Sequence, residues 1–357
     1  MGPGADRAQR YPPTARVNAV CCVVAPAISV LLPAYNAAQT IAPALRSVQR
    51  QSEADWECVV VDDGSADDTP RIVAGFARAD ARVRLVPRSH GGIVAALQTG
   101  LRECRAKLIA RFDADDLMSR RRLELQRLLL EQNPALSAVG CHVRLFPRAT
   151  LRERRIMYEK WLGSLRTPEQ LEREVFVECP VAHPTLLVRR EVLLDFGYRD
   201  CGWPEDYDLV LRILASGRRI GIVPRRLLHW RDSASRLSRV SGNYSIPAFF
   251  ECKAEFLASG FLAASDRYLL WGFGDTGKAL ANALARRGKY PAAIIELHPR
   301  RLGQLIRSVP VVAPSALLEL QPRPLVVSVA GPGPRGEIRA ALAAMGFREL
   351  RDYVCAA

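Results

Sequence analysis

From residue 28 onward the chain alternates between short apolar runs and longer amphipathic stretches. The runs 28–32, 56–61, 83–86 and 107–112 have the length and apolar content of buried strands. Between them, 41–51, 70–79 and 92–104 read as helices, so the order predicts an α/β domain built on a mainly parallel central sheet. A further helix is expected over 121–131, stopped by Asn133-Pro134, and another over 205–214, opening after a proline. The stretch 150–200 gives no clear pattern. Residues 241–264 read as a helical connection to a second, smaller α/β unit: strand 268–271, a glycine turn, helix 278–287, and strands 292–297 and 325–329. The expected division is therefore a mobile tail over 1–27, a first domain over 28–240, the connection over 241–264 and a second domain over 265–357. No internal repeat or low-complexity run interrupts this order.

Composition narrows the class. A chain of 357 residues, 49% hydrophobic and 25% charged, has the make-up of a folded protein with two cores. The net charge of +14 is mostly arginine spread along the chain, with no nucleic-acid motif beside it. Nucleic acid is therefore not an expected partner, and attraction to an anionic lipid surface is the better reading. Nine cysteines without a C-x-x-C pair suggest free thiols in a reducing compartment, the cytoplasm. Arg7, Arg10 and Arg16 ahead of the apolar stretch 17–32 imitate a signal peptide. Asn18 and Pro26 interrupt that stretch, however, and 28–32 serves better as a first strand. No other segment has the unbroken apolar length of a membrane span, so membrane contact is expected to be peripheral, at the inner face.

In parallel sheets ligands gather beyond the carboxyl ends of the strands, and the unusual residues fall there. Pro33-Ala34-Tyr35-Asn36 follows the first strand, Asp62-Asp63-Gly64-Ser65 the second, Ser89-His90-Gly91-Gly92 the third and Asp113-Ala114-Asp115-Asp116 the fourth. Three carboxylates closing an apolar strand repel one another unless a cation or donors sit among them. Magnesium or manganese suits such a set, because a hard ion keeps coordination free for phosphate. A solvated turn capping the next helix is the plainer reading of that tetrapeptide. A second carboxylate pair, Asp62-Asp63, on another strand end tips the balance. The two clusters suit the two ends of one nucleoside diphosphate.

These segments, with His90-Gly91-Gly92 before a helix and Trp203-Pro204-Glu205-Asp206-Tyr207-Asp208-Leu209, resemble the family 2 glycosyltransferases, which have the GT-A fold. The resemblance covers about residues 28–240 and rests on five motifs in order. It implies transfer of a sugar from a nucleotide-diphosphate donor, with inversion, to a glycan, lipid-linked or small-molecule acceptor, in the setting of cell-surface glycan assembly. By the same resemblance, Tyr35 flanks the base and Asp63 accepts from it, with Pro33, His90 and Gly91 in the donor site. Asp113 contacts the ribose, Asp115 binds Mn2+ or Mg2+, and Asp206 is the general base. Glu205, His229, Arg236 and His183 are candidates for diphosphate or acceptor contacts. Taken alone, Asp206 reads as a first-turn carboxylate favoured by the helix dipole, and His183 as a satisfied histidine in a turn.

In the second unit Gly272-Phe273-Gly274-Asp275-Thr276-Gly277 fits G-x-G-x-x-G between a strand and a helix, and Glu296 ends the next strand. It resembles Rossmann-like nucleotide-binding domains, which implies a second site at Gly272, Gly274, Gly277 and Glu296 for NAD(P) or another nucleotide. A tight turn needed only for packing is the competing reading. Two other functions stay open at this point: a noncatalytic nucleotide-sugar sensor, and a dinucleotide-dependent sugar oxidoreductase acting through the second unit. A sugar nucleotidylyltransferase shares the general fold, but no glycine-rich phosphate loop lies near the first strand.

Overall fold

A computed structural model of the chain describes residues 25–233, 236, 239, 241–320 and 323–357. All but the last three residues of the expected tail lie outside the described residues.

Eight strands form the first sheet: β1 (Ile28–Ala34), β2 (Trp56–Asp62), β3 (Val83–Pro87), β4 (Leu108–Arg111), β5 (Leu117–Met118), β6 (Leu136–Phe146), β7 (Leu187–Arg189) and β8 (Arg219–Arg231). Their order is β3-β2-β1-β4-β7-β6-β8-β5. The half from β3 to β4 is parallel, as its alternation with helices requires. The expectation of a mainly parallel sheet holds, with four of the seven pairings parallel, but beyond β4 antiparallel neighbours enter. There β7 runs antiparallel to both β4 and β6, β8 is parallel to β6, and β5 is antiparallel to β8, so the sheet as a whole is mixed. The sequence hid this half for a physical reason. The exposed Arg225 and Arg226 interrupt the apolar pattern inside the 13-residue β8, and its pairing with β6 shifts register in three places.

Strands β1 and β2 are buried at every position because helices cover both faces. Alternate residues point to opposite faces. Leu32 and Val60 join Ile41, Leu45 and Val73 from helices Ile41–Gln49 and Thr69–Ala79, while Leu31, Val59 and Val61 join Leu97 and Leu101 of helix Gly92–Glu103. Each such aliphatic side chain contributes about 1.5–3 kcal/mol on burial. This two-sided core fixes where the strand ends, and hence the polar turns, must lie. The unparsed stretch 150–200 holds helices Glu153–Leu162, Pro168–Glu174 and Arg190–Phe196 and the short β7. These elements are too short for periodicity to declare, and the 168–174 helix is started by a capping box of Thr167 with Gln170.

The second sheet has six strands: β9 (Arg267–Trp271), β10 (Tyr290–Ile295), β11 (Leu305–Ile306), β12 (Val309–Val312), β13 (Leu325–Val327) and β14 (Tyr353–Cys355), ordered β11-β12-β10-β9-β13-β14. All neighbouring pairs are parallel except the β11–β12 hairpin. Helix Ile246–Ser259 lies within the segment expected to join the two units. It touches both: Phe249 stacks on Tyr207 at 4.6 Å, and Lys253 Nζ donates to Val177 O at 2.8 Å and Ala356 O at 3.1 Å. Arg339 adds ion pairs to Glu174 and Glu349. Among the described residues no cysteine is in a disulfide, and no helix is long and apolar enough to cross a membrane.

Candidate active site

The turns after β1, β2 and β3 are knitted into one surface. Pro33 lies inside β1, opposite Val61, rather than beyond the strand. Asp63 is buried and its carboxylate accepts from Gly91 N at 3.1 Å and Gly92 N at 2.8 Å, pairs with Arg88, and lies 2.9 Å from His90 Nδ1. Its acceptor capacity is thus spent on the 88–92 loop. Gly64, at φ +74°, lets that loop approach: a Cβ there would stand 2.8 Å from His90 N. The ring of Tyr35, half exposed, stacks on His90 at 4.3 Å and 25°. Asp62 differs from its neighbour, since its buried Oδ1 has no hydrogen-bond partner.

After β4 the chain brings Asp113, Asp115 and Asp116 together, with one carboxylate oxygen from each within 4.8 Å of the others. Asp116 is fully buried. Its Oδ1 accepts from Arg231 N at 2.7 Å, and its Oδ2 has no partner. Arg231 Nε also donates to Asp115 O at 2.7 Å, so the end of β8 frames the cluster. Burial, then the charge of Asp113, raises both Asp115 and Asp116 above the usual carboxylate range. An orphaned carboxylate oxygen beside two further carboxylates is a costly arrangement that a hard divalent cation relieves, and the donor set is the oxygen set such ions prefer.

The second acidic group opens helix Glu205–Ala215. Asp208, fully buried, clamps the entry to that helix: it accepts from Arg199 at 2.5 Å, Arg212 at 2.7 Å and Trp203 Nε1 at 3.2 Å. With the helix start fixed, Asp206 projects from the first turn, partly buried, one oxygen accepting from Tyr207 N at 2.7 Å. No cation is paired with it among the described residues. Burial raises the Asp206 carboxyl, and burial together with the Asp206 charge raises Glu205. Tyr244 donates its hydroxyl to Glu205, and His183 Nδ1 lies 3.8 Å from the other Glu205 oxygen. His183 is buried, lies 3.2 Å from the Tyr198 hydroxyl, and is held neutral by burial and by the nearby positive charge of Arg111.

Arg111 connects the two acidic groups. It is buried at the end of β4, pairs with Asp113, and its charge acts on both Glu205 and Asp206. Its positive charge favours the ionised form of the carboxylates within its reach. The sequence reading gave no role to Arg111 or Tyr244, and none of its own to Asp208 or Arg231. A charge inside the apolar run before Asp113 was a usable signal for Arg111. Nothing local marks Tyr244, which arrives from 38 residues beyond Asp206.

The remaining candidates fall elsewhere. His229 sits within β8, in register with Leu117 of β5 and Arg144 of β6. Arg236 lies over the Trp230 ring at 4.3 Å, and its charge acts on Asp115 and Asp116; residues 237 and 238 beside it lie outside the described residues. In the second unit Gly272 has φ +91°, and a Cβ on Gly277 would stand 2.2 Å from Gly272 O, so these glycines are required by the turn itself. Gly274 precedes helix Asp275–Ala285, which begins three residues ahead of the expected start at 278. The Glu296 carboxylate accepts from Leu297 N at 2.9 Å and His298 N at 3.3 Å and pairs with Arg301, so its own loop occupies it.

A parallel half-sheet with an acidic triad on its carboxyl edge, continued by a mixed half, is the GT-A architecture, and the smaller second sheet follows it. In agreement, the crystal structure of S. aureus TarS 1-349 in complex with UDP-GlcNAc superposes with a TM-score of 0.55 at 17% identity, covering 73% of this chain and 72% of that one. Residues 29–196 match the family described as Glycosyl transferase family 2. The chain is 31% identical over 227 residues to "Putative glycosyltransferase EpsE" of Bacillus subtilis (strain 168), spanning 62% of this chain and 78% of that protein. It is 28% identical over 190 residues to the UDP-Glc:alpha-D-GlcNAc-diphosphoundecaprenol beta-1,3-glucosyltransferase WfgD of Escherichia coli, spanning 52% of this chain and 69% of that protein. The chain belongs to the family 2 glycosyltransferases.

Proposed function

We propose that the protein transfers a sugar, with inversion, from a nucleotide-diphosphate donor to an acceptor hydroxyl in glycan assembly. What supports this reading is the Asp113–Asp115–Asp116 triad, held through Asp113 by Arg111, whose charge also reaches Glu205 and Asp206. Tyr35 and His90 offer a stacked, half-exposed platform for a base, and Asp63 holds the loop that carries His90. Asp113 and Asp115, with Asp116, would hold Mn2+ or Mg2+; a bound ion there supplies Lewis-acid neutralisation of the departing diphosphate. Asp206 takes the proton of the acceptor hydroxyl, and its raised affinity for protons makes it a stronger base than an ordinary aspartate. Glu205, fixed by Tyr244, orients the start of that helix. The acceptor of WfgD, named in its description as lipid-linked, makes a lipid-linked acceptor the first to try. We place the domain division within 241–264, and read the second unit as an accessory module. The test is hydrolysis or transfer of UDP-glucose, UDP-GlcNAc and GDP-mannose with Mn2+. Asp115→Asn abolishes metal-dependent donor binding, and Asp206→Asn abolishes turnover with donor still bound. Normal transfer by Asp206→Asn would sink the base assignment.

A further inference from the structure

The arginine excess is not evenly answered over the surface. At many places an exposed arginine meets a carboxylate, as in Arg71–Asp68 at 2.8 Å, Arg82–Asp80 at 2.9 Å and Arg219–Glu169. One edge of the first sheet is different. A groove of about 900 Å3 runs between helix Ile41–Gln49 and β5, lined by Arg46, Arg50, Arg120 and His229 and by no carboxylate.

Further arginines converge on the same edge from separate elements. Ser52 N donates to Arg120 O at 2.8 Å, and Ser119 N donates to Leu227 O at 2.9 Å, which sets Arg50, Arg120, Arg225 and Arg226 side by side. Arg144 flanks His229 in register across β6 and β8. All six arginines are exposed, and none has an ion pair among the described residues. The neighbouring Glu124 is already taken by Arg121 and Ser52. His229 registers the resulting field: burial, then the charge of Arg144, pushes its imidazole toward the neutral form. Arg225 also acts on Glu124, but one carboxylate shared with Arg121 leaves six like charges largely unanswered, at a cost in repulsion that the fold does not require, since none of them packs in a core. Such a cluster is relieved when an anionic surface neutralises it.

We propose that this edge, formed by Arg46, Arg50, Arg120, Arg144, Arg225 and Arg226, is a docking face for anionic phospholipid headgroups that holds the enzyme on a membrane surface. The cluster is the size that reads as headgroup binding. It lies on the strand that leaves the acidic triad, because Leu117 and Met118 directly follow Asp116, so a docked protein keeps its donor pocket next to the bilayer. The inference does not depend on which carboxylate is the base.

The test is co-sedimentation of the full chain, at low ionic strength, with vesicles of phosphatidylcholine alone or with one-third phosphatidylglycerol. Wild type is expected to sediment with the phosphatidylglycerol vesicles only and to be released by salt. Combining Arg50→Ala, Arg120→Ala and Arg225→Ala weakens partitioning on the order of a hundredfold, from the contribution of each arginine at an anionic surface. A charge-matched control combining Arg102→Ala, Arg267→Ala and Arg300→Ala, all exposed, on helix Gly92–Glu103 and in the second unit, stays close to wild type. The proposal is overturned if the control loses as much as the triple variant, or if phosphatidylcholine alone binds equally. It is also overturned if inorganic polyphosphate binds with the same arginine dependence while the vesicles do not, which would make the groove a site for a soluble polyanion. Unchanged melting temperatures of both variants exclude a folding defect.

Discussion

Each sheet carries a suggestive turn behind a central strand, yet the turns after β4 and β9 differ in what they leave unsatisfied. After β4, Asp116 Oδ2 has no partner, and burial and repulsion raise Asp115 and Asp116. After β9, a Cβ on Gly277 would meet Gly272 O and one on Gly272 would meet Val329 and Ser328, and at the end of neighbouring β10 Glu296 is occupied by Leu297 N, His298 N and Arg301. Among the described residues, the one buried side-chain atom beside the turn without a partner is the neutral Ser328 hydroxyl oxygen. Two fingerprints that look equally suggestive in sequence therefore have different physical content. A buried carboxylate oxygen without a partner costs far more than a hydroxyl, so the first arrangement points to a ligand, whereas the geometry of the second is explained by folding.

The comparison can be broken most directly at the acidic side. Asp206→Asn is expected to lower kcat on the order of 10²–10⁴-fold, the usual contribution of a general base, while donor affinity measured by calorimetry is retained. The same residue sets a pH signature. A base must be unprotonated, and burial raises Asp206, so kcat falls as pH falls through a value above the ~3.9 of an ordinary aspartate. A pH–rate profile flat down to that ordinary value would remove Asp206 from the role.

Asp208→Ala tests the scaffold instead of the chemistry. It strips Arg212 and Arg199 of a fully buried partner, and chemical denaturation should report a loss of about 3–5 kcal/mol. Asp115→Asn should leave the melting temperature without nucleotide nearly unchanged but erase the stabilisation by UDP with Mn2+, about 2.7 kcal/mol for ligand at a hundredfold excess over Kd. On the other side of the comparison, Gly277→Ala should destabilise the fold by about 1–3 kcal/mol, since its Cβ would stand 2.2 Å from Gly272 O. Glu296→Ala, the smallest effect, should stay within about 0.5 kcal/mol and leave sugar transfer untouched. A large loss of transfer on Glu296→Ala would mean that the second turn takes part in the reaction after all.

Legibility followed the range of the forces involved. Strands β1, β2 and β4 announced themselves because two-sided burial demands continuous apolar runs, and the acidic turns stood out against those runs. By contrast, β8 has no continuous apolar run, because two arginines that face solvent sit in its middle. Asp63 was legible as a site residue, but its capture by Gly91, Gly92 and Arg88 from the next turn was not. Among the late-coming parts, Tyr244 illustrates the limit, since its bond to Glu205 spans 39 positions.

The amino-acid sequence by itself determined the two α/β units, the acidic strand ends and the membership of a family, because burial periodicity and turn chemistry act over a few residues. Only the tertiary structure decided that Arg111 pairs with Asp113 while its charge reaches Glu205 and Asp206, that Asp208 is a clamp while Asp206 has no cation paired with it among the described residues, and that six arginines share one edge. Electrostatic energy depends on distances between side chains that are remote in the chain, and those distances exist only once the sheet has brought them together.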